Sequence, residues 1–195
     1  MTTSVRMLST ALRALLALTV ILGLAYPVLM VGIGRIVPRE ADGSLIYDGE
    51  TVIGSSLIGQ DFSSDLSLFQ SRPSAAGDNG YDPTSSGASN LAPTNEELAA
   101  NIASAKEEIA QRDGVDPAQI PADALTASAS GLDPHISPAY AELQIARVAE
   151  RNNMSESDIR ALVSAHTEPP ALGFVGQPRV NVLELNLALL KARGE

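Results

Sequence analysis

The chain has 195 residues, 13 Lys+Arg, 23 Asp+Glu, two His and no Cys, for a formal net charge of -10. That length fits one ordinary domain with an appendage, and the missing cysteines exclude disulfides, thiolate metal sites and a thiol nucleophile while leaving the redox compartment open. An acidic chain with two lysines, Lys106 and Lys191, lacks the clustered basic residues that a phosphate backbone requires, so no nucleic-acid partner is expected.

Charge is unevenly placed along the chain. Arg6, Arg13 and Arg35 are the only charges before Ile36; taking those three from the 13 basic residues leaves 36–195 with 10 basic and 23 acidic groups, a net of -13. From Ala14 to Gly34 run 21 uncharged residues, of which eleven are Leu, Ile or Val. As a helix this run spans roughly 31 Å, the thickness of a bilayer's hydrocarbon core, and the eleven contribute on the order of -3 to -7 kcal/mol to insertion. A cleaved signal peptide competes with this reading, with Gly23-Leu24-Ala25 as its processing site. The apolar run, however, continues nine residues past Ala25 and is closed by Arg35 and Arg39 as a stop is, so an uncleaved anchor is expected.

The expected organisation is therefore a short tail over 1–13, a transmembrane helix over 14–34 and a soluble domain over 36–195. Leu16, Val20, Gly23, Pro27 and Gly32 are the candidates for contact with lipid or partner helices. Pro27 removes one helical hydrogen bond, and Gly23, Gly32 and Gly34 permit close helix packing. The short tail and early apolar run read as a signal anchor, which places the acidic domain outside the cytoplasm.

In the soluble part, Asp48-Gly49 between 42–47 and Thr51-Val52-Ile53-Gly54 predicts a hairpin. Ser56-Leu57-Ile58-Gly59 and Ser67-Leu68-Phe69-Gln70 are further strand candidates. Ser71 to Pro93 is dense in Gly, Ser, Asn, Asp and Pro and reads as a long ordered surface loop, because a solvated linker has little use for Arg72, Tyr81, Asn90 and Leu91. Thr94 to Glu97 forms a capping box before Leu98, Ile102, Ala105 and Ile109 at helical spacing, with Gly114 beyond the end. Leu125-Thr126-Ala127 is a short strand candidate. Ser137-Pro138 opens a second helix with Ala141, Ile145, Val148 and Ala149 on one face; Ser155 with Asp158 opens a third, with Ile159, Leu162, Val163 and His166 on one stripe. Val180 to Leu190 nearly alternates yet also keeps helical spacing, and its length and terminal Lys191 and Arg193 predict helix. The fold class is an α/β or α+β soluble domain with a small sheet and several helices, preceded by one transmembrane helix.

The search for chemistry returns little. Neither lysine lies in a phosphate-cradling glycine-rich turn, and no Asp precedes Lys, which excludes the aspartyl-phosphate signature Asp-Lys-Thr-Gly. Ala127-Ser128-Ala129-Ser130-Gly131 approaches a nucleophile elbow but lacks the first glycine. His135 is better used in capping the next helix or satisfying loop carbonyls; a metal at Asp133 and His135 would want further ligands, and His166 on an apolar stripe reads as a satisfied core residue. No catalytic and no metal residues are expected. What remains are three polar loop runs, 72–95, 126–138 and 176–181, that either present donors and acceptors to a partner or tie loops to one another. Their candidates are Arg72, Tyr81, Asn90, Asn95, Asp133, His135, Gln177, Arg179 and Asn181.

At these runs the sequence resembles the C subunit (KdpC) family of the bacterial high-affinity potassium-transporting ATPase, the Kdp complex. The runs that carry the resemblance are Arg72-Pro73-Ser74-Ala75, Gly80-Tyr81-Asp82-Pro83, Ser86-Gly87-Ala88-Ser89-Asn90-Leu91, Pro93-Thr94-Asn95, Ser130 to Pro138, and Pro178-Arg179-Val180-Asn181-Val182-Leu183. Together with the anchor and Ile58-Gly59-Gln60 they cover nearly the whole chain in order; Ala92 departs from the glycine expected in the family. The resemblance implies a subunit without its own active site or cofactor in a multisubunit P-type ATPase of the inner membrane, single-pass, with ATP and potassium handled at the level of the complex. Its implied partners are a channel-like potassium-binding subunit, a P-type ATP-hydrolysing subunit and a small membrane peptide, besides the lipid bilayer. The implied role is that of a catalytic chaperone that stabilises the complex and modulates its use of potassium and ATP. Two competing readings are a cytoplasmic module that helps bind ATP directly and an unrelated anchored periplasmic hydrolase.

Overall fold

The computed structural model describes residues 3–194 in two compact units that divide after Leu45. In the first, α1 (Thr3–Val20), one π-helical turn (Ile21–Ala25) and α2 (Tyr26–Gly34) form a continuous helix of 32 residues. None of its residues is buried, and it is long and apolar enough to cross a membrane. The helix is already formed at Thr3, ahead of the apolar run, so the Arg6 and Arg13 flank is helical too. The wide turn has a cause in the sequence. Pro27 has no N–H, and its ring collides with the carbonyl four residues back; the turn ahead of it opens so that the Tyr26 amide bonds Ile21 O, five residues earlier. Past the helix, the four-residue α3 (Pro38–Ala41) follows, and an exposed Arg35–Asp42 pair at 3.5 Å closes the turn between them.

The expected hairpin, β1 (Leu45–Asp48) and β2 (Thr51–Ser55), starts at the division and turns through Gly49 at φ +58°. The helices of the second unit are α4 (Glu96–Asp113), the short α5 (Ala122–Leu125), α6 (Pro138–Asn152), α7 (Glu156–Ala165) and α8 (Val182–Ala192). Three small strands, β3 (His135–Ile136), β4 (Thr167–Glu168) and β5 (Arg179–Asn181), form an antiparallel sheet in the order β3-β5-β4. The register pairs His135 with Asn181, Ile136 and Thr167 with Val180, and Glu168 with Arg179. The class is thus α+β, a small sheet with several helices, behind an apolar helix of membrane-spanning length.

Local caps fix the helix ends. Ser137 and Ser155 accept the amides of Tyr140 and Asp158 as expected, and Gly114 closes α4 at φ +66°. The α4 cap moves by one residue: Asn95, not Thr94, accepts the Glu97 amide at 2.8 Å, because the Ala92 carbonyl already takes the Asn95 amide and ends the preceding turn there. Helix α8 starts two residues later than expected. Val180 and Asn181 belong to β5, and Asn181 caps the helix by accepting the Glu184 amide at 3.2 Å.

Three predicted strands are absent. The 125–127 segment is the end of α5 followed by loop, with Asp123 in α5 accepting both the amide (2.8 Å) and hydroxyl (2.9 Å) of Ser137. Residues 56–59 are loop, the Gly59 amide bonding Leu132 O at 2.8 Å. Residues 67–70 leave a turn, in which the Leu68 amide bonds Asp65 O at 3.2 Å, and then pair with side chains instead of a strand. The Asn186 carboxamide accepts from Phe69 N (2.8 Å) and donates to Phe69 O (2.9 Å); the Gln144 carboxamide does the same for Gln70, at 2.7 and 3.2 Å.

Around this clamp lies the core, with Phe69, Ile136, Tyr140, Ile145, Val148, Ile159, Leu185 and Leu189 all buried. Each such large apolar side chain contributes about 1.5–3 kcal/mol on burial. Beneath it sits a buried ionic knot. Asp113, its side chain fully buried, binds Arg147 Nε at 2.6 Å and Arg112 Nη2 at 2.7 Å, while Arg147 also donates to Leu66 O, to Leu68 O at 2.9 Å and to Gln144 Oε1 at 2.7 Å. Removing one partner strands a buried charge, so Asp113→Ala should cost about 3–5 kcal/mol. The chain has no tryptophan, so urea unfolding followed by far-ultraviolet circular dichroism is the appropriate measurement.

Candidate functional site

The loop runs that stood out in the sequence meet in the second unit. Arg72 lies at their junction: its Nη1 donates to Asp133 Oδ2 at 3.1 Å, and its Nε and Nη2 both donate to Thr126 O, at 3.3 and 3.1 Å. Asp133 is shared. Its Oδ1 accepts the His135 amide at 3.0 Å and lies 3.0 Å from His135 Nδ1. The Tyr81 hydroxyl donates to Arg72 O, and Ser74 Oγ donates to Gly131 O at 2.6 Å while accepting the amides of Tyr81 (2.7 Å) and Ala76 (3.2 Å). Further along, the Gly87 amide and the Ser86 hydroxyl both reach Ser130 O at 2.9 Å. The third run joins through Asn181, whose Nδ2 donates to Ser56 O at 2.8 Å, and through the Val182 amide, which bonds Pro134 O at 3.0 Å.

Glycine makes this approach feasible at two points. Gly131 has φ +68°, and a Cβ there would lie 2.7 Å from both Ala76 N and Gly87 O; a Cβ on Gly59 would lie 2.7 Å from Asp133 O. The electrostatics follow from the same contacts. Burial pushes Asp133 up, but the hydrogen bonds from His135 and the nearby charges of His135 and Arg72 more than offset it and hold the carboxyl below its usual value. Burial raises the Tyr81 hydroxyl to about 12, so it stays a neutral donor.

Of the expected site residues, Arg72, Tyr81, Asp133, His135 and Asn181 therefore share one connected set of contacts. Asn90 stands apart in its own turn, at φ +53° with Nδ2 donating to Ala88 O at 3.1 Å. Asn95 caps α4, Gln177 is exposed, and Arg179 pairs with Glu168 at 2.8 Å on the exposed side of β5. His166 ends α7, half-buried rather than in the core, its Nδ1 2.9 Å from Leu162 O. Leu16, Val20, Gly23, Pro27 and Gly32 all lie on the apolar helix, with open space beside Gly32. Sequence reading missed the joining roles of Ser74, Gln144 and Asn186; a serine two residues after a singled-out arginine gives a faint signal, and the carboxamides give none.

Chemically, the set binds itself. The Ser128 hydroxyl lies 3.4 Å from Ser130 Oγ and accepts from Asp133 N at 3.5 Å, while the His135 Nδ1 side is taken by Asp133; the described hydrogen bonds include none between Ser128 and His135. A cleft of about 370 Å³ lies between α4 and the 61–81 loop, and both arginines on its wall are already paired, Arg72 with Asp133 and Arg112 with Asp113. Among the described residues no three His, Cys, Asp or Glu are grouped to hold a metal.

Two measurements address the junction. Asp133→Ala leaves the largely buried Arg72 guanidinium short of a partner and should cost about 1–3 kcal/mol at neutral pH. Because the folded carboxyl titrates below the ordinary carboxylate range, that stabilisation is complete above the unfolded value and lost as pH falls through the folded one; the wild-type and variant unfolding curves should converge in acid. Gly131→Ala should destabilise by more than about 1 kcal/mol, because alanine is strained at positive φ and two backbone atoms already occupy the space.

Comparison with known proteins shows the family. Residues 8–191 match the family described as KdpC: K+-transporting ATPase, c chain. The chain is 51% identical over 193 residues to the potassium-transporting ATPase KdpC subunit of Kineococcus radiotolerans, covering 98% of this chain and 97% of that one. It is 51% identical over 172 residues to the KdpC subunit of Xanthomonas campestris pv. campestris strain B100 (88% and 80%), and 49% identical over 173 residues to that of Koribacter versatilis (88% and 87%). With a match that runs from the apolar helix to the end of α8, the chain belongs to the KdpC family of potassium-transporting ATPase subunits.

Proposed function

We propose that this chain is a non-catalytic accessory subunit of an ATP-driven potassium-uptake pump, which stabilises the assembly and modulates its use of potassium and ATP. The observation that carries the reading is the junction itself. The only carboxylate–imidazole pair in the loop runs, Asp133 with His135, is tied to Arg72 and to backbone instead of being set against the Ser128 hydroxyl. Such a pair positions loops and abstracts no proton from a nucleophile. Chemistry and its cofactors then belong to the partners: a channel-like potassium-binding subunit, a P-type ATP-hydrolysing subunit and a small membrane peptide.

In this reading the Thr3–Gly34 helix is the single span in the inner membrane, packing Gly23, Gly32 and the opened turn before Pro27 against other spans. The acidic domain lies outside the cytoplasm, over the outer mouth of the potassium pathway. A net -13 body there raises local cation concentration only within about 8 Å at physiological salt, so its steric role as a cap outweighs its field. Any influence on nucleotide affinity travels through the membrane helices as a reciprocal coupling.

A paired reporter test settles the side. Fused behind the C-terminus, alkaline phosphatase should be active and green fluorescent protein dark; the reverse pattern would support a cytoplasmic nucleotide-binding module instead. Replacing the exposed Glu96, Glu97, Glu107 and Glu150 by Gln in the assembled complex should weaken apparent potassium affinity at low ionic strength and leave it unchanged at physiological salt. A large loss at high salt would contradict capping as the main role.

A further inference from the structure

Between Glu168 and Arg179 the sequence runs PPALGFVGQP, ten residues without a charge. This stretch extends the β4–β5 ladder into a short arm. Its base is closed by the Glu168–Arg179 register pair and by their ion pair at 2.8 Å. Its tip is closed a second time, since Ala171 and Val175 exchange both backbone hydrogen bonds (2.9 and 2.8 Å) and the Gly173 amide bonds Pro170 O at 2.9 Å. Leu172 is held at φ +54°, a region that leucine rarely adopts, with Gly173 at +82° after it. The arm therefore has one built shape, and what that shape displays is apolar. Leu172 is 86% exposed and Phe174 79%, the largest values for big apolar side chains among the described residues from Ile46 onward, with Val175 beside them at 51%.

Two bulky apolar groups on a pre-set turn are not a solvent-adapted loop tip. A lipid surface fits the tip poorly. The stretch 169–178 offers no Lys, Arg, Trp or Tyr for an interface, Arg179 is already paired with Glu168, and residues 36–195 carry a net of -13, which anionic headgroups repel. A protein surface fits better: an exposed apolar tip carried on a polar base, the Glu168–Arg179 pair, sets an apolar anchor beside polar edges as an interface hot spot and its rim do. We infer that the 171–175 turn is a docking plug, which inserts Leu172 and Phe174 into a concave apolar socket on another protein subunit of the potassium-transporting ATPase complex. This rests on the accessory-subunit reading and deepens it by assigning a contact.

The test uses the full chain produced together with the other subunits of the complex. Leu172→Asp combined with Phe174→Asp should leave the thermal unfolding and helicity of the isolated chain unchanged, because neither side chain is buried. The yield of co-purified complex and its potassium-stimulated ATP hydrolysis should each fall at least about tenfold, the size expected when interface anchors are lost. In parallel, p-benzoyl-phenylalanine in place of Phe174 should photo-cross-link to another subunit. Wild-type assembly together with an unimpaired double variant, or adducts formed only with lipid or with a second copy of this chain, would overturn the plug while leaving the subunit reading intact. A wild-type chain that fails to co-purify at all would overturn both. If the double variant shifts the unfolding curve, the cross-link alone decides.

Discussion

Two side-chain carboxamides hold the second unit together. Asn186 on α8 and Gln144 on α6 each bind the amide and the carbonyl of one residue, Phe69 and Gln70 respectively, and so do for this segment what a neighbouring strand does in a sheet. The requirement behind it is general: buried backbone donors and acceptors need partners, or each costs about 1–3 kcal/mol. With Phe69 in the core, its backbone could not be left to water. Arg147 extends the same service to the carbonyls of Leu66 and Leu68, and Asn152 Nδ2 to Ser67 O at 2.7 Å. Once residues 66–70 are fixed, the loop that follows starts from a defined point, and Arg72, Ser74 and Tyr81 fall where they can meet the 126–135 run.

That arrangement explains what a reader of the sequence could and could not find. Features decided within four or five residues were legible: the Asp48-Gly49 turn, the Ser137 and Ser155 caps, the Gly114 stop, and the apolar period of α4, α6 and α7. The loop runs were legible too, as unusual identities in rigid surroundings, although their mutual contacts were not. Two of the misread segments fail for the same reason. Residues 67–70 and 56–59 have the composition of strands, but their partners are the side chains of Asn186 and Gln144 in one case and Leu132 O in the other, more than seventy residues away in sequence. A carboxamide facing inward from a helix looks, in sequence, like one facing water. At 125–127 the propensity for a strand lost to Asp123, whose carboxylate holds Ser137 and keeps that short helix in place.

The same economy of contacts bears on function. Residues that elsewhere do chemistry are used here to fasten loops: the carboxylate of Asp133 serves Arg72 and His135 at once, and the most buried carboxylate, Asp113, neutralises two arginines. A body built this way fastens its loops with its own side chains. It suits a component that works by being held in one place and presenting one surface, which is the role proposed for this member of the KdpC family. The opened turn ahead of Pro27 and the apolar arm at 171–175 are departures from regular structure that the interior packing of the chain does not demand. In the assembly proposed above, contacts with other chains would give them a purpose.

Everything in this account depends on residues 66–70 being fixed structure and not a tether between helices. The direct measurement is hydrogen exchange at the individual amides of Phe69 and Gln70 in the intact protein. The account predicts that both exchange as slowly as the buried amides of α6, opening only with the whole domain. Exchange at the rate of an unprotected loop would contradict it.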